Sequence, residues 1–384
     1  MMDAISKKSR AKIAVIMPTL QCGGAQKVVI TIGNKLIEKG LNVDIILYKR
    51  IITCPVPFKG NIISIFNNNV RLRKHPFFLT KKIINILKEY NIVVGGLGLD
   101  SSFLAMIWGR LSNKKTVSLV HIHISESING VLRNLKGLKG LLFKIWTIIL
   151  YRFISKFVSK FVCVSEEIKQ DLIKSFKLPS KKMKVILNPL DIADTRMRAC
   201  EELSEEQKVI FEKPTIIFVG RMEYRKGLDF LLKAFRILLE NHNVNLIIVG
   251  EQDITPYKIL VNELGIEKNV FFLGLQENQY KFMARSKVLV FPSRYEGFGV
   301  VLVEAMACGI PVIASDCPCG PSEILDRGKY GILVGVGDID GLAKNIELLL
   351  TNNNLHEKFS TLGKQRAEDF DIDTLINHYM DILL

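Results

Sequence analysis

The chain has 384 residues, 48% of them apolar and 24% charged, which is enough for two buried cores at roughly 150 residues per domain. A disordered chain, a disulfide-stapled miniprotein and a collagen-like rod are thereby excluded. Lys and Arg number 53 against 38 Asp and Glu, a formal charge of +15 that suits a polyanion or an acidic membrane surface and says nothing of the fold. The seven Cys, an odd number, make no disulfide framework and read as reduced thiols of a cytoplasmic protein.

The basic N-terminus is followed by an apolar run that stops at Pro18, too short for a signal-peptide core and without a small-residue cleavage site. Residues 12–18 read as the first strand, Gly23 and Gly24 open a helical stretch to Lys39, and Gly40 stops it. Further strands are expected at 43–48, 92–95, 116–121, 161–164 and 185–187. The most apolar stretch, 141–164, is interrupted by Lys144, Arg152, Lys156 and Lys160; its longest uncharged core, 145–151, falls far below the ~20 residues of a bilayer span. Leu142, Ile145, Trp146, Ile149, Phe153 and Phe157 recur at helical spacing with cations among them. That composition fits either an interfacial segment or a core helix with a solvated basic face. Between Arg133 and Lys184 stand 13 Lys/Arg against Glu166, Glu167 and Asp171, so this segment carries +10 of the +15, and an anionic lipid surface is its natural partner.

Residues 191–214 are polar, rich in Glu and without an apolar strand, and read as a linker. The strand–helix rhythm then resumes, with strands expected at 215–220, 245–250, 269–273, 287–291, 311–314 and 332–334 and helices including 228–240 and 300–307. Alternation of this kind implies an α/β protein of two doubly wound, Rossmann-like parallel-sheet domains. The expected division is 1–190, a linker at 191–214, 215–370, and a C-terminal helix at 371–384. Two such sheets are expected to leave a cleft at the carboxyl ends of their strands, so residues just past strands carry the chemistry.

Three segments meet that criterion. Glu296-Gly-Phe-Gly-Val-Val-Leu-Val-Glu304 follows a strand; Gly297 and Gly299 allow close backbone approach, and Gly299 opens a helix whose first amides can face an anion. Glu304 lies among apolar residues inside that helix and requires a hydroxyl or cation partner, for which a ribose diol is suitable. Gly220-Arg221-Met-Glu-Tyr-Arg-Lys226-Gly227 follows the first strand of the second half; a guanidinium and an ammonium flanking one loop suit a diphosphate. Gly23-Gly24 follows the first strand of all and offers bare amides to a phosphate, yet it is neither Gly-x-Gly-x-x-Gly nor a Walker loop.

Glu296 to Glu304 resembles the E-x7-E motif of retaining glycosyltransferases. Gly23-Gly24-Ala25-Gln26, Gly220-Arg221 with Lys226-Gly227, and Glu304-Ala-Met-Ala-Cys-Gly-Ile-Pro-Val-Ile-Ala314 are similar to glycosyltransferase family 4. The resemblance runs from about Ile13 to about Val334 and is densest in the second half. It implies a GT-B fold, an acceptor site in the N-terminal half, a nucleotide-sugar site in the C-terminal half, and a last helix that crosses back to the first domain. It also implies retention with front-face attack. The same resemblance implies that Gly24 amides contact donor phosphate and sugar, and that Arg221 and Lys226 bind the diphosphate. Glu296 would contact the transferred sugar's hydroxyls, Glu304 the ribose, and Gly297, Phe298 and Gly299 would line the donor pocket.

A His near the reacting sugar is common in the family. His123 is the first choice, since it lies past the expected strand end; His121 shares its face at period 2, and Glu126 is the fallback. No metal or other cofactor is expected: Asp338-Ile-Asp340 and Asp369/Asp371/Asp373 precede helical runs and read as cap chemistry, and Cys317-Pro-Cys319 has no second Cys pair for zinc. Nucleic acid is not expected as a partner, because no recognition motif or stacking pattern accompanies the basic residues.

The reading is a cytoplasmic enzyme, peripheral on the inner face of the membrane. It moves a sugar from a UDP-sugar to a lipid-linked glycan or a lipopolysaccharide or polysaccharide precursor. A GDP-mannose-dependent mannosyltransferase and a nucleotide-sugar epimerase on the same fold are the rival activities, and a glycan-binding scaffold the non-catalytic one.

Overall fold

Strands buried on both faces read as unbroken apolar runs, and here they assemble into two all-parallel sheets. The computed structural model describes residues 11–384 apart from 22, 55, 66–75, 133–137 and 252. The basic N-terminal decapeptide, Cys22, Asn67–Asn69, and Arg133 and Lys136 of the basic segment lie outside the described residues. The chain divides into one unit of residues up to 189 with Ile372–Leu384, and a second unit, Leu190–Asp371.

The first unit holds β1 (Lys12–Met17), β2 (Asn42–Leu47), β3 (Ile62–Ser64), β4 (Ile92–Gly95), β5 (Lys115–Val120), β6 (Lys160–Cys163) and β7 (Met183–Val185), in the order β3-β2-β1-β4-β5-β6-β7. Val15 sits opposite Ile45 on one side and Val94 on the other, so the central strands share one apolar register. The three-residue edge strand β3 has no counterpart in the sequence reading: it is short and partly exposed, so it leaves no apolar run. The last helix, Ile372–Leu383, buries Leu375, Ile376 and Tyr379 in this unit, where Lys35 Nζ lies 2.6 Å from Asp373 Oδ1.

In the second unit β8 (Thr215–Val219), β9 (Asn245–Val249), β10 (Val270–Gly274), β11 (Val288–Phe291), β12 (Val312–Ser315) and β13 (Ile332–Val334) run in the order β10-β9-β8-β11-β12-β13. Leu228, Leu231, Phe235, Leu246, Ile248 and Val290 form the centre of its core. Residues 191–214, read as a linker without a strand pattern, hold two short helices joined by turns. Asp191 caps Ile192–Ala199 by accepting from Asp194 N, and a Ser204/Gln207 capping box opens Glu205–Ile210. Arg198 Nη2 donates to Glu277 O at 2.7 Å and Asn278 Nδ2 to Arg198 O at 2.7 Å, which ties this segment into the second unit.

Each sheet reverses its winding once, between β1 and β4 and between β8 and β11. Loops that leave those strands at their carboxyl ends diverge, and ligands of such sheets bind there.

One helix departs from the usual one-sided pattern. Leu138–Phe157 buries Thr147, Tyr151, Ile154 and Ser155 on one side, as a core helix does. On its other side Leu141, Leu142, Ile145, Trp146, Ile149 and Phe153 are all exposed. At 100° per residue these six fall within an arc of about 140°. Among the described residues no helix is long and apolar enough to cross a membrane.

Candidate active site

In the second unit, β8 and β11 flank the switch point, and the loops that leave them are locked together. After β8 the chain makes a 3-10 turn, Tyr224–Lys226, which ends at Gly227 in the left-handed region (φ 64°). A Cβ at Gly227 would strike the carbonyl oxygen of Pro292 in the loop after β11, so only glycine admits this approach. Arg294 N donates to Arg225 O at 2.7 Å. The Arg294 guanidinium grips Asp229 with two bonds of 2.7 Å each and lies about 4 Å from the ring centres of Tyr224 and Phe230.

This frame brings three cations to two carboxylates. Glu296 is buried; its Oε1 accepts from Lys226 Nζ at 2.6 Å and Ser293 Oγ at 2.8 Å, and its Oε2 from Arg225 Nη1 at 2.9 Å. Burial pushes the Glu296 carboxyl up, but Lys226 and Arg225 together outweigh it and hold the group below the usual carboxylate range. Burial, against the opposing pull of Glu296, also makes the Lys226 ammonium hold its proton less tightly than a surface lysine. Glu223 joins the set from the other side, with Oε2 at 2.9 Å from Arg225 Nε and Oε1 at 2.9 Å from Arg221 Nη1. The order is therefore Arg221, Glu223, Arg225, Glu296, Lys226, with charge alternating along it. Side-chain exposure falls from 50% at Arg221 to 5% at Glu296 and is 12% at Lys226.

Gly299 (φ 102°) opens the helix Val300–Cys308 with no side-chain cap. Phe298 is buried beside it, and a Cβ on Gly320 would strike its carbonyl oxygen. Glu304 is buried within the helix; Gln279 Nε2 donates to its Oε2, and Tyr280 OH lies 3.4 Å from its Oε1. A hydroxyl or cation was expected beside Glu304: the Tyr280 phenol is a hydroxyl at the edge of hydrogen-bond reach, and the shorter contact is an amide, which is neither. Cys317 and Cys319 are buried, and burial pushes the Cys317 thiol far up, Glu296 adding to it. Asp338 accepts from Gly341 N at 2.9 Å as the cap of Ile339–Thr351.

In the first unit, Gly23 is extended, and the helix Gly24–Glu38 that follows starts with no side-chain cap and no acidic residue in its first turn. Past β5, the two histidines differ sharply. His121 is fully buried, and neither ring nitrogen has a hydrogen-bond partner of good geometry among the described residues; the nearby Asn188 Oδ1 is in the same state. Burial lowers the pKa of His121 to about 4, with Asn188 opposing weakly, so the ring is neutral at ordinary pH. His123 is partly exposed, with Nδ1 3.3 Å from Glu126 N and 3.4 Å from Asp171 Oδ2. Asp171, buried on the helix Glu166–Lys174, also accepts from Ser125 N at 3.0 Å and from Ser125 Oγ. Glu126 itself turns back to Asn129 Nδ2 at 3.4 Å.

The second unit thus brings Lys226 and Glu296 together, with Gly297, Phe298 and Gly299 in the same loop, while Arg221 turns outward to Glu223. Arg225, Glu223, Ser293, Arg294, Gln279 and Asp171 were not singled out from the sequence. The run Glu223-Tyr224-Arg225-Lys226 carries a signal for the first two, since adjacent opposite charges at a strand end invite pairing. Gln279 and Asp171 lie 25 and 46 or more positions from the groups they hold, and no local pattern marks them.

Residues 22–194 match the family Glycosyltransferase Family 4, and residues 201–366 match Glycosyl transferases group 1. An uncharacterised glycosyltransferase of Methanocaldococcus jannaschii is 30% identical over 337 residues, 78% of this chain and 81% of that protein. The N-acetylgalactosamine-N,N'-diacetylbacillosaminyl-diphospho-undecaprenol 4-alpha-N-acetylgalactosaminyltransferase of Campylobacter jejuni is 24% identical over 368 residues, covering 94% of this chain and 96% of its own. The crystal structure of Anabaena HepE in complex with UDP superposes with a TM-score of 0.77 at 20% identity, over 97% of this chain and 99% of that one. With two doubly wound parallel sheets and a match to both family descriptions, the chain belongs to glycosyltransferase family 4 and is a glycosyltransferase of the GT-B fold.

Proposed function

We propose that this glycosyltransferase takes a sugar from a UDP-sugar and transfers it, with retention, to a lipid-linked glycan at an anionic membrane surface. The observation that carries the reading is the cluster of Lys226, Arg225 and Glu296 at the switch point of the second sheet. A nucleoside diphosphate leaves with growing negative charge while the sugar becomes oxocarbenium-like. Cations held in place beforehand stabilise that charge without reorganising. Lys226 and Arg221 take the diphosphate in this reading, so no metal or other cofactor is invoked. Glu296 receives sugar hydroxyls, Glu304 the ribose, and the bare amides at Gly23 and Gly24 the donor's phosphate and sugar. His123, oriented by Asp171, is assigned to the reacting sugar, because His121 is buried and unprotonated. The uridine nucleotide is supported by the UDP that HepE binds, and the acceptor class by the diphospho-undecaprenol substrate in the Campylobacter jejuni relative's name.

The membrane part rests on the helix Leu138–Phe157. Its exposed apolar stripe has Lys139, Lys144, Arg152 and Lys156 beside it, all exposed, which is the chemistry of an element lying in a lipid interface. A screen of nucleotide sugars against a lipid-linked acceptor, read by product mass spectrometry, tests the transfer. A product heavier by one sugar from a UDP donor is expected. Products only from GDP-mannose would favour a mannosyltransferase, and free sugar with no need of acceptor would favour an epimerase.

A further inference from the structure

We infer that Arg225 is a positioning residue: it holds the Glu296 carboxylate in place while Lys226 turns to the donor's diphosphate. This rests on the donor reading above and adds a division of labour among its cations.

The hydrogen-bond count requires such a division. A carboxylate has about four acceptor positions, two on each oxygen. Oε1 of Glu296 is filled by Lys226 and Ser293, and among the described residues Oε2 holds Arg225 alone. If Glu296 receives sugar hydroxyls, one position on Oε2 is ready, and a second opens on Oε1 only when Lys226 leaves. Lys226 can leave: an ammonium is a point charge on a flexible stem, and among the described residues Glu296 is the one carboxylate it pairs with. Arg225 is placed differently. Its fork is engaged at both ends, Nε on Glu223 and Nη1 on Glu296, each at 2.9 Å, and its backbone oxygen is tied to Arg294 N at 2.7 Å. A planar group held by two carboxylates and a fixed backbone does not swing to a third anion.

Charge leads to the same assignment. Arg221, Arg225 and Lys226 against Glu223 and Glu296 leave one net positive charge. A diphosphate that draws away Arg221 and Lys226 leaves Arg225 as the shared cation of both carboxylates. Without it, Glu296 would be a buried anion supported by Ser293 alone, and burial would favour its protonated form. The groups facing Glu296 are Arg225 and Lys226 from the turn after β8, Ser293 from its own loop, and the Cys317 thiol from the loop after β12. The two cations are therefore what keeps it ionised.

The test is steady-state kinetics of wild type, Arg225→Met and Arg225→Lys across pH 5–9, with melting temperatures alongside. Arg225→Met is expected to lower kcat about tenfold or more with donor KM little changed. It is also expected to move the acidic limb of kcat up by about one pH unit. Arg225→Lys restores part of both. A raised donor KM at unchanged kcat would overturn the proposal, since Arg225 would then hold the donor itself. An unchanged rate and acidic limb would overturn it as well. Should Arg225→Met melt below the assay temperature, Arg225→Lys and Glu223→Gln decide: both keep a cation near Glu296 but loosen the fork, and a wild-type pH limb in both would overturn the assignment. Wild type that turns over no nucleotide sugar would instead bring down the donor reading.

Discussion

The two sheets wind alike and reverse at equivalent places, yet their switch points are built from different material. At β8 and β11 the chain gathers charged side chains that hold one another, from Arg221 through Glu296, with Arg294 fastening both loops. At β1 the segment from Pro18 to Gly23 has no charged residue in its sequence; Thr19 Oγ1 and Gln21 Oε1 lie 3.5 Å apart, and the helix that follows starts with no side-chain cap. Past β5 of the same unit, His123 Nδ1 stands 3.4 Å from the Asp171 carboxylate. On the proposed reading, a leaving diphosphate needs fixed charge whatever the acceptor, and a rigid charge network in the second unit would supply it. A neutral sugar acceptor, which the same reading assigns to the first unit, would need hydrogen bonds and shape rather than fixed charge.

If that contrast is right, the largest loss comes from the second unit. Lys226→Ala is expected to lower kcat by roughly a hundredfold to a thousandfold, the effect of removing one preorganised charge from a developing anion. His123→Ala is expected to cost less, on the order of tenfold to a hundredfold, in keeping with a single general acid–base or hydrogen-bonding group. Equal losses in donor hydrolysis and transfer would show that the two units are not specialised as described.

The next effect is one of stability, and it belongs to the first unit. The folded-state pKa of His121 is about 4, below the usual 6.5. For a base with a lowered folded pKa, the neutral ring favours the native state. That stability is fully present above pH 6.5 and is lost as pH falls from 6.5 towards 4, where the unfolded chain takes up a proton first. The loss amounts to up to about 3 kcal/mol for this residue. Denaturant melts between pH 7 and 4 check it: His121→Leu should flatten the slope over that window, and a parallel slope would show that other groups govern it.

A smaller effect probes the lock itself. Gly227→Ala adds a methyl that meets Pro292 O and places a side chain at positive φ, so a loss of about 2 kcal/mol or more in unfolding free energy is expected. Gly265 is also at positive φ but has nothing near its missing Cβ, and Gly265→Ala should cost only the backbone term, about 1 kcal/mol. Equal costs would mean that the approach of the two loops is not tight.

How much of this was legible follows from the same physics. Parallel strands are buried on both faces, so Ile216-Ile217-Phe218 or Ile92-Val93-Val94 announce themselves as apolar runs, whereas β3 with its exposed Ile62 does not. Ligands of such sheets meet residues past the strand ends, which is why Lys226, Glu296 and His123 stand out as candidates. What the sequence does not reveal is which neighbour faces which. Arg221 and Lys226 were expected to flank one loop; which of them faces Glu296 was not legible, and the 3-10 turn presents Arg225 and Lys226 to Glu296, while Arg221 pairs with Glu223. His121 and His123 are indistinguishable by spacing, and burial of the one beside Asn188 and pairing of the other with a carboxylate 48 positions on are tertiary facts.

The helix Leu138–Phe157 provides the finest test of the contrast, because it adds a second surface to the first unit that has no counterpart in the charge network of the second. Ile149 and Trp146 are 60% and 57% exposed at the middle of its apolar stripe. Inserting a large apolar side chain into the acyl boundary is worth about 1–2 kcal/mol, and each cation near an anionic surface about 1 kcal/mol. Trp146→Ser with Ile149→Ser should therefore weaken retention on phosphatidylglycerol vesicles about tenfold or more, measured by sedimentation, while turnover of a soluble acceptor analogue stays at the wild-type rate. Charge and insertion separate by salt: raising ionic strength should weaken both proteins by a similar factor, since neither substitution removes a cation. Equal retention of the double variant would mean that the stripe does not enter lipid, and a parallel loss of soluble turnover would mean that the helix serves the fold or the site instead.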